Sequence, residues 1–165
     1  MTRIGIYPGT FDPFTFGHLD IIKRSLKIVD QLIIGVADNT NKIPLLTLDE
    51  RKQLIQYDIN EFLNNHDNIS ILTIKGLLTD FAKSNNAICI IRGLRAISDF
   101  EYEFQMTMMN SKLYPDLETI FLMSSDKNTF ISSNFVKEIH KLGGDVSKFI
   151  SKNTIKFLNN KNTIS

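Results

Sequence analysis

A single cysteine, Cys89, is all that the 165-residue chain offers for cross-linking. No intrachain disulfide can form, and a reduced, cytoplasmic protein with a core thiol is the expectation. Histidine is nearly as scarce: His18, His66 and His140 show no metal-ligand spacing with that cysteine, which excludes a structural zinc site. Long apolar runs are missing too. The longest, such as Ala87–Ile91, span about five residues against the ~20 that cross a bilayer. The N-terminal stretch reaches Pro8 and Asp12 too soon to read as a signal peptide. Nor does one sign of charge dominate. The 19 Lys and Arg stand against 18 Asp and Glu, a net +1, without the basic excess of proteins that hold nucleic acid by its phosphates. No repeat, low-complexity linker or composition break divides the chain. The composition itself, 42% hydrophobic and 22% charged, is that of an ordinary globular domain. One domain over 1–158 is expected, followed by a polar tail from Asn159 to Ser165.

Short apolar, β-branched runs recur at Ile4–Tyr7, Leu32–Val36, Ile69–Ile74, Ile88–Ile91 and Thr119–Met123. Each is apolar at nearly every position, as strands of a parallel sheet buried on both faces are. Helical patterns lie between them. Leu19, Ile22, Leu26 and Val29 follow helical spacing. Thr47-Leu-Asp-Glu50 and Ser98-Asp-Phe-Glu101 are capping boxes, the second opening a helix to about Leu113. A further helix from Phe135 to Leu142 stops at Gly143-Gly144. Strands alternating with helices predict a Rossmann-like three-layer α/β/α sandwich with a five-stranded parallel sheet. In such sheets ligands bind beyond the carboxyl ends of the strands, where the strand order reverses.

The segments on that rim carry the chemistry. After the first strand come Thr10-Phe-Asp-Pro-Phe-Thr-Phe-Gly-His18 and a helix. Gly9 and Gly17 permit close backbone approach or positive φ, and a helix start with Thr10 and His18 beside it is an anion site. Neither the GxGxxG nor the GxxxxGK[ST] phosphate loop is present. Taken alone, His18 reads more readily as structural than catalytic; Lys42 and Arg51 read as solvated charges, Ser132 and Ser133 as helix caps, and Asp99 and Glu103 as an exposed acidic face. Phe100, Tyr102, Phe104, Met106, Met108 and Met109 form an aromatic and methionine cluster suited to a core or a subunit interface.

The first loop resembles the T/HxGH nucleotide-binding loop of the nucleotidyltransferase superfamily. Three further stretches narrow the resemblance: Asn39-Thr-Asn-Lys42 with Pro44 and Thr47–Arg51; Ile91-Arg-Gly-Leu-Arg95 with Asp99-Phe-Glu-Tyr-Glu103; and Thr129-Phe-Ile-Ser-Ser133. Together they resemble the bacterial phosphopantetheine adenylyltransferases from about Arg3 to Phe149. That resemblance implies transfer of the adenylyl group of ATP to 4′-phosphopantetheine, giving dephospho-coenzyme A and pyrophosphate. It also implies Mg²⁺, a homohexamer built as a dimer of trimers, and feedback inhibition by coenzyme A. His18 would stabilise the transition state beside Thr10. Lys42 and Arg92 would hold the acceptor phosphate, with Leu78 against the pantetheine arm. ATP would meet Thr10, Phe11, His18, Gly93, Leu94, Arg95 and Glu103, and also Asn128, Thr129, Phe130, Ile131, Ser132, Ser133 and Asn134. The acceptor phosphate is ionised at neutral pH, so in-line attack needs positioning and charge stabilisation rather than a general base.

Two departures stand out. Asn134 occupies a position where the family commonly has a third serine, and Asn128-Thr129 replaces an aromatic-serine pair. Adenylyltransferases acting on nicotinate mononucleotide, and glycerol phosphate cytidylyltransferases, share the first loop but not the block from Arg92 to Glu103. A nucleotide-binding protein without catalysis would be expected to lose His18, Lys42 or Arg92, and all three are present.

Overall fold

The computed structural model describes residues 2–38, 43–64, 66–95, 97–125 and 131–162. Strands β1 (Ile4–Gly9), β2 (Gln31–Ala37), β3 (Ile69–Ile74), β4 (Cys89–Leu94) and β5 (Glu118–Met123) alternate with helices. These are α1 (Phe16–Ser25), α2 (Leu48–Phe62), α3 (Leu78–Ser84), α4 (Ile97–Leu113), α5 (Ser133–Lys141) and α6 (Lys152–Asn162). The strands form one parallel sheet in the order β3-β2-β1-β4-β5, with Ile6 beside Ile33 and Arg92 beside Phe121. The expected three-layer sandwich is therefore present.

Central strands feed two cores by the alternation that a pleat imposes. Ile6, Ile33 and Ile90 meet Ala82 of α3 and Leu117 on one face. Tyr7, Leu32, Ile34 and Ile91 meet Ile22 of α1 and Ile55 and Ile59 of α2 on the other. A third cluster joins Leu54 of α2 to Val136 of α5 and Leu158 of α6, with Leu46 and Ile150 between them. Burial on both faces holds for β1, β2 and β4, whereas β3 and β5 are half-exposed. The last two are the sheet edges, where one flank has no neighbouring strand.

Several local signals act as their chemistry predicts. Thr47 and Glu50 form the reciprocal capping box at α2. Gly143 follows α5 at φ +80°, the left-handed turn that ends a helix cheaply only with glycine. The side chain of Ser98 lies outside the described residues. Helix α6 continues through Asn162, so the stretch from Asn159 read as a polar tail is helical that far. No helix among the described residues is long and apolar enough to cross a membrane.

The order reverses at β1, which has β2 on one side and β4 on the other. The crevice beyond the carboxyl ends of β1 and β4 is thus the place where a ligand is expected.

Candidate active site

A cleft of about 760 Å³ opens at that crevice, within the range of pockets that enclose a cofactor-sized ligand. Thr10 and Phe11 of the β1–α1 loop and His18 of the first turn of α1 line it; β4 and the residue after it contribute Arg92, Gly93 and Arg95; Glu103 comes from α4; Ile131 and Ser132 lead into α5, whose first residues are Ser133 and Asn134. Two residues read as site groups lie elsewhere. Leu94 is buried, and Leu78 packs at the start of α3 against the Ile6–Ile33–Ile90 core. Lys42, Asn128, Thr129 and Phe130 lie outside the described residues.

His18 owes its setting to the capping of α1. Thr15 is the N-cap and His18 the third helical residue, which takes the place usually filled by glutamate in a capping box. The Thr15 N–H donates to Nδ1 at 3.0 Å, with the Thr15 hydroxyl 3.1 Å from the same nitrogen. Since Nδ1 accepts, the ring proton resides on Nε2. Phe14 stacks on the imidazole at 5.5 Å and Phe11 meets it edge-on at 5.0 Å. Burial, reinforced by the positive charge of Arg95, pushes the His18 pKa down to about 3. His18 is therefore a neutral, oriented N–H donor and not an imidazolium.

Phe11 makes that packing possible at a conformational cost. Its φ is +53°, left-handed for a bulky residue, and it is only 2% exposed, held by Tyr7 and Phe14. The turn also explains Gly9: a Cβ there would sit 2.8 Å from the Phe11 ring. Gly17 has no such need, since a Cβ would make only ordinary contact with Thr15.

Arg92 reaches across to α4. Its Nε donates to one Glu103 oxygen at 2.8 Å, Nη2 donates to the other, and Nη1 donates to the Pro8 carbonyl at 3.1 Å. Burial works against the charge, yet the Glu103 carboxylate outweighs it and raises the Arg92 pKa. A guanidinium has five N–H groups, so two remain for a ligand. Glu103, read as an ATP contact, is in this arrangement the partner that aims Arg92. Tyr7, beneath this pair, is kept protonated because burial drives its phenol pKa upward.

The approach to α5 divides its hydroxyls. Ser132 is the N-cap and makes no side-chain cap bond, whereas Ser133 donates its hydroxyl proton to the Pro13 carbonyl at 2.8 Å. The sequence treats the two alike, as phosphate donors or caps; in the structure Ser133 ties α5 to the first loop.

Three residues to which the sequence assigns no role in the site, Arg51, Asp12 and Lys137, complete it. Arg51, read as a solvated charge, is 2% exposed. Its Nη1 donates to the Thr10 carbonyl at 2.8 Å and the Ala37 carbonyl at 2.9 Å, joining the ends of β1 and β2. Burial lowers its pKa, with Asp12 and Asp38 opposing. Asp12, 4% exposed, forms an ion pair with Lys137 of α5 at 2.8 Å. One signal was available: Lys137 follows Ser133 by four residues and so shares its helix face.

Among the described residues no three His, Cys, Asp or Glu side chains converge to hold a metal ion. Both carboxylates in the cleft, Asp12 and Glu103, already face cationic partners.

Comparison with known proteins agrees with this geometry. The cytidylyltransferase-like family matches residues 6–139. Among solved structures, the nicotinic acid mononucleotide adenylyltransferase of Plasmodium falciparum superposes with a TM-score of 0.72 at 17% identity, covering 98% of this chain and 96% of that one. A bifunctional NMN adenylyltransferase/ADP ribose pyrophosphatase of Francisella tularensis, complexed with AMP and a Mn ion, gives 0.71 at 21% identity over 97% of this chain and 49% of its own. These likenesses show that the fold is shared. Sequence relatives are nearer. A phosphopantetheine adenylyltransferase of Wolbachia pipientis subsp. Culex pipiens (strain wPip) is 56% identical over 98% of this chain and 95% of its own. That of Paraburkholderia phytofirmans is 51% identical over 96% and 90%. Likeness at that level over almost the whole length, with His18 and Arg92 facing one cleft, places the chain in the phosphopantetheine adenylyltransferase family.

Proposed function

We propose that the chain transfers the adenylyl group of ATP to 4′-phosphopantetheine, releasing pyrophosphate and dephospho-coenzyme A. The observation that carries this reading is the convergence of a neutral His18 Nε2–H and a Glu103-braced Arg92 at the switch point between β1 and β4. An oxygen of the acceptor phosphate forms the new bond to the α-phosphorus as the bond to pyrophosphate breaks. No proton must be removed from the nucleophile, which accords with a cleft whose carboxylates are held by cations. His18 donates to a non-bridging α-phosphate oxygen where charge accumulates, and Thr10 lies beside it. The two remaining N–H groups of Arg92 and the ammonium of Lys42 hold the acceptor phosphate. Phe11, Gly93, Arg95 and the span Asn128–Asn134 surround ATP, while Leu94 on the ATP side and Leu78 on the pantetheine arm, neither of which lines the cleft, are assigned on the family resemblance alone.

Mg²⁺ would be carried by the phosphate oxygens of ATP rather than by a protein cage, and there it would offset their negative charge. The whole of 1–158 acts as one domain in a reduced, cytoplasmic setting. The exposed face of α4 serves assembly into a homohexamer, and coenzyme A, which shares the acceptor arm and the nucleotide, inhibits at the same cleft.

Pyrophosphate release with ATP and Mg²⁺, measured with and without 4′-phosphopantetheine, tests the reading. Release that requires the acceptor and yields dephospho-coenzyme A supports it. Folded, ATP-binding protein that releases none would overturn it, and nicotinate mononucleotide would be the next acceptor tried.

A further inference from the structure

We propose that Asp12 is a positioning residue whose carboxylate fixes both flanks of the cleft to the first loop. The proposal rests on the reading above for the identity of the substrates, not for the geometry. Oδ1 accepts from the Leu46 N–H at 2.9 Å, and Oδ2 accepts from the Leu45 N–H at 2.9 Å and from Lys137 Nζ at 2.8 Å. One side chain on the β1–α1 loop thereby grips the chain entering α2 and a side chain of α5. These are the two flanks: Ile43 and Pro44 line the cleft just ahead of the gripped amides, and Ser132–Asn134 line it from the α5 side.

A buried carboxylate is out of place in a cleft meant for two polyanions, because it repels both of them and loses hydration. Its bonds exclude the usual reasons for tolerating it. A general base needs an open lone pair facing the proton to be moved, whereas here most of the acceptor sites are filled by donors. What those donors share is position, not chemistry. The gripped segment also runs into the core: Leu46 is fully buried in the cluster that contains Val136, next to Lys137. Arg51 braces the same joint from the other side by bonding the Thr10 and Ala37 carbonyls. Asp12 thus sets the spacing between the acceptor flank and the nucleotide flank, and acts on the reaction through them.

Asp12→Asn keeps the shape and one acceptor oxygen but turns an NH₂ toward an amide N–H or the Lys137 ammonium. The expected result is a rise of about five- to twenty-fold in KM for both ATP and phosphopantetheine, larger than the fall in kcat, in protein that still melts cooperatively. A lowered melting temperature with both KM values unchanged would overturn the proposal, since it would mark a purely structural residue. If the variant does not fold, amide hydrogen exchange in the wild-type protein decides. Leu45 and Leu46 protected to the level of the sheet support the tie, and fast exchange at both overturns it. If the wild type proves inactive, the reaction assigned above fails. The tie is then judged separately by calorimetric ATP binding, where a weaker Kd for Asp12→Asn is expected and an unchanged one overturns it.

Discussion

His18 combines two properties that a histidine in an anion site rarely needs together: it is uncharged and it is locked. The capping bonds from Thr15 fix its tautomer, while burial and Arg95 keep it neutral. His18→Ala is expected to fold and to lower kcat by about 10²–10³, the scale for losing one donor to a developing charge; unchanged turnover in steady-state assays would remove His18 from the mechanism. The same pKa sets a stability limb. The native imidazole stays neutral down to about pH 3, whereas the unfolded chain takes up a proton near pH 6.5. Stability is therefore lost as pH falls below 6.5, and urea midpoints should fall less steeply between pH 7 and 4 in His18→Gln than in the wild type. Arg92 and Glu103 carry the other residue-scale prediction. Arg92→Ala should raise KM for phosphopantetheine more than KM for ATP, and Glu103→Gln should move the same constant by a smaller factor, about ten-fold. A Glu103→Gln effect confined to ATP would return Glu103 to the nucleotide. The chemistry of both residues was legible in their motifs, but their pairing was not. A contact from β4 to α4 depends on how the helix lies on the sheet, which no local spacing records.

Elements were read best where one local signal decides them. Central strands announce themselves as continuous β-branched runs, and α2 by its capping box. Helix α6 carries a weaker signal: Ser151 caps it, its hydroxyl oxygen accepting from the Thr154 N–H at 3.2 Å, but the Lys-Asn-Thr-Ile-Lys-Phe run that follows is mostly polar, and Leu158 in the cluster with Leu54 and Val136 anchors it. The junction of α2 with α6 also hides Asp58, which is 1% exposed and whose Oδ1 has no hydrogen-bond partner. Burial raises its pKa to about 6, against the Ser151 hydroxyl and with the help of Glu61. A raised carboxylate pKa means that the native state binds the proton more tightly than the unfolded chain. The penalty is absent below about pH 3.8 and fully present above pH 6. Asp58→Asn should therefore stabilise the fold by about 2 kcal/mol at pH 7.5 and hardly at all at pH 3.5. Equilibrium urea unfolding at the two pH values checks this, and equal effects at both would mean that the gain comes from packing.

The whole molecule presents one face that its own chain leaves uncovered. Tyr102, Met108 and Met109 on α4, Leu113 at its end and Met123 on β5 are each about half-exposed or more. Of the two roles open to this cluster, core is therefore excluded in the single chain. So much exposed apolar surface is unusual for a monomer, and most of it lies on the helix that also holds Glu103 against Arg92. If assembly covers this face, it also pins the partner of the acceptor-binding arginine, and the oligomer and the site are not independent. Met109→Glu puts a charge on the outer face without touching the cleft lining. The wild type is expected to sediment at six times the 18.9 kDa chain mass, and the variant at a smaller multiple. The dissociated form should show a raised KM for phosphopantetheine with its melting transition retained. Full activity in a monomeric variant would show that the chain's own contacts suffice to hold α4, and that assembly serves something other than the geometry of Arg92.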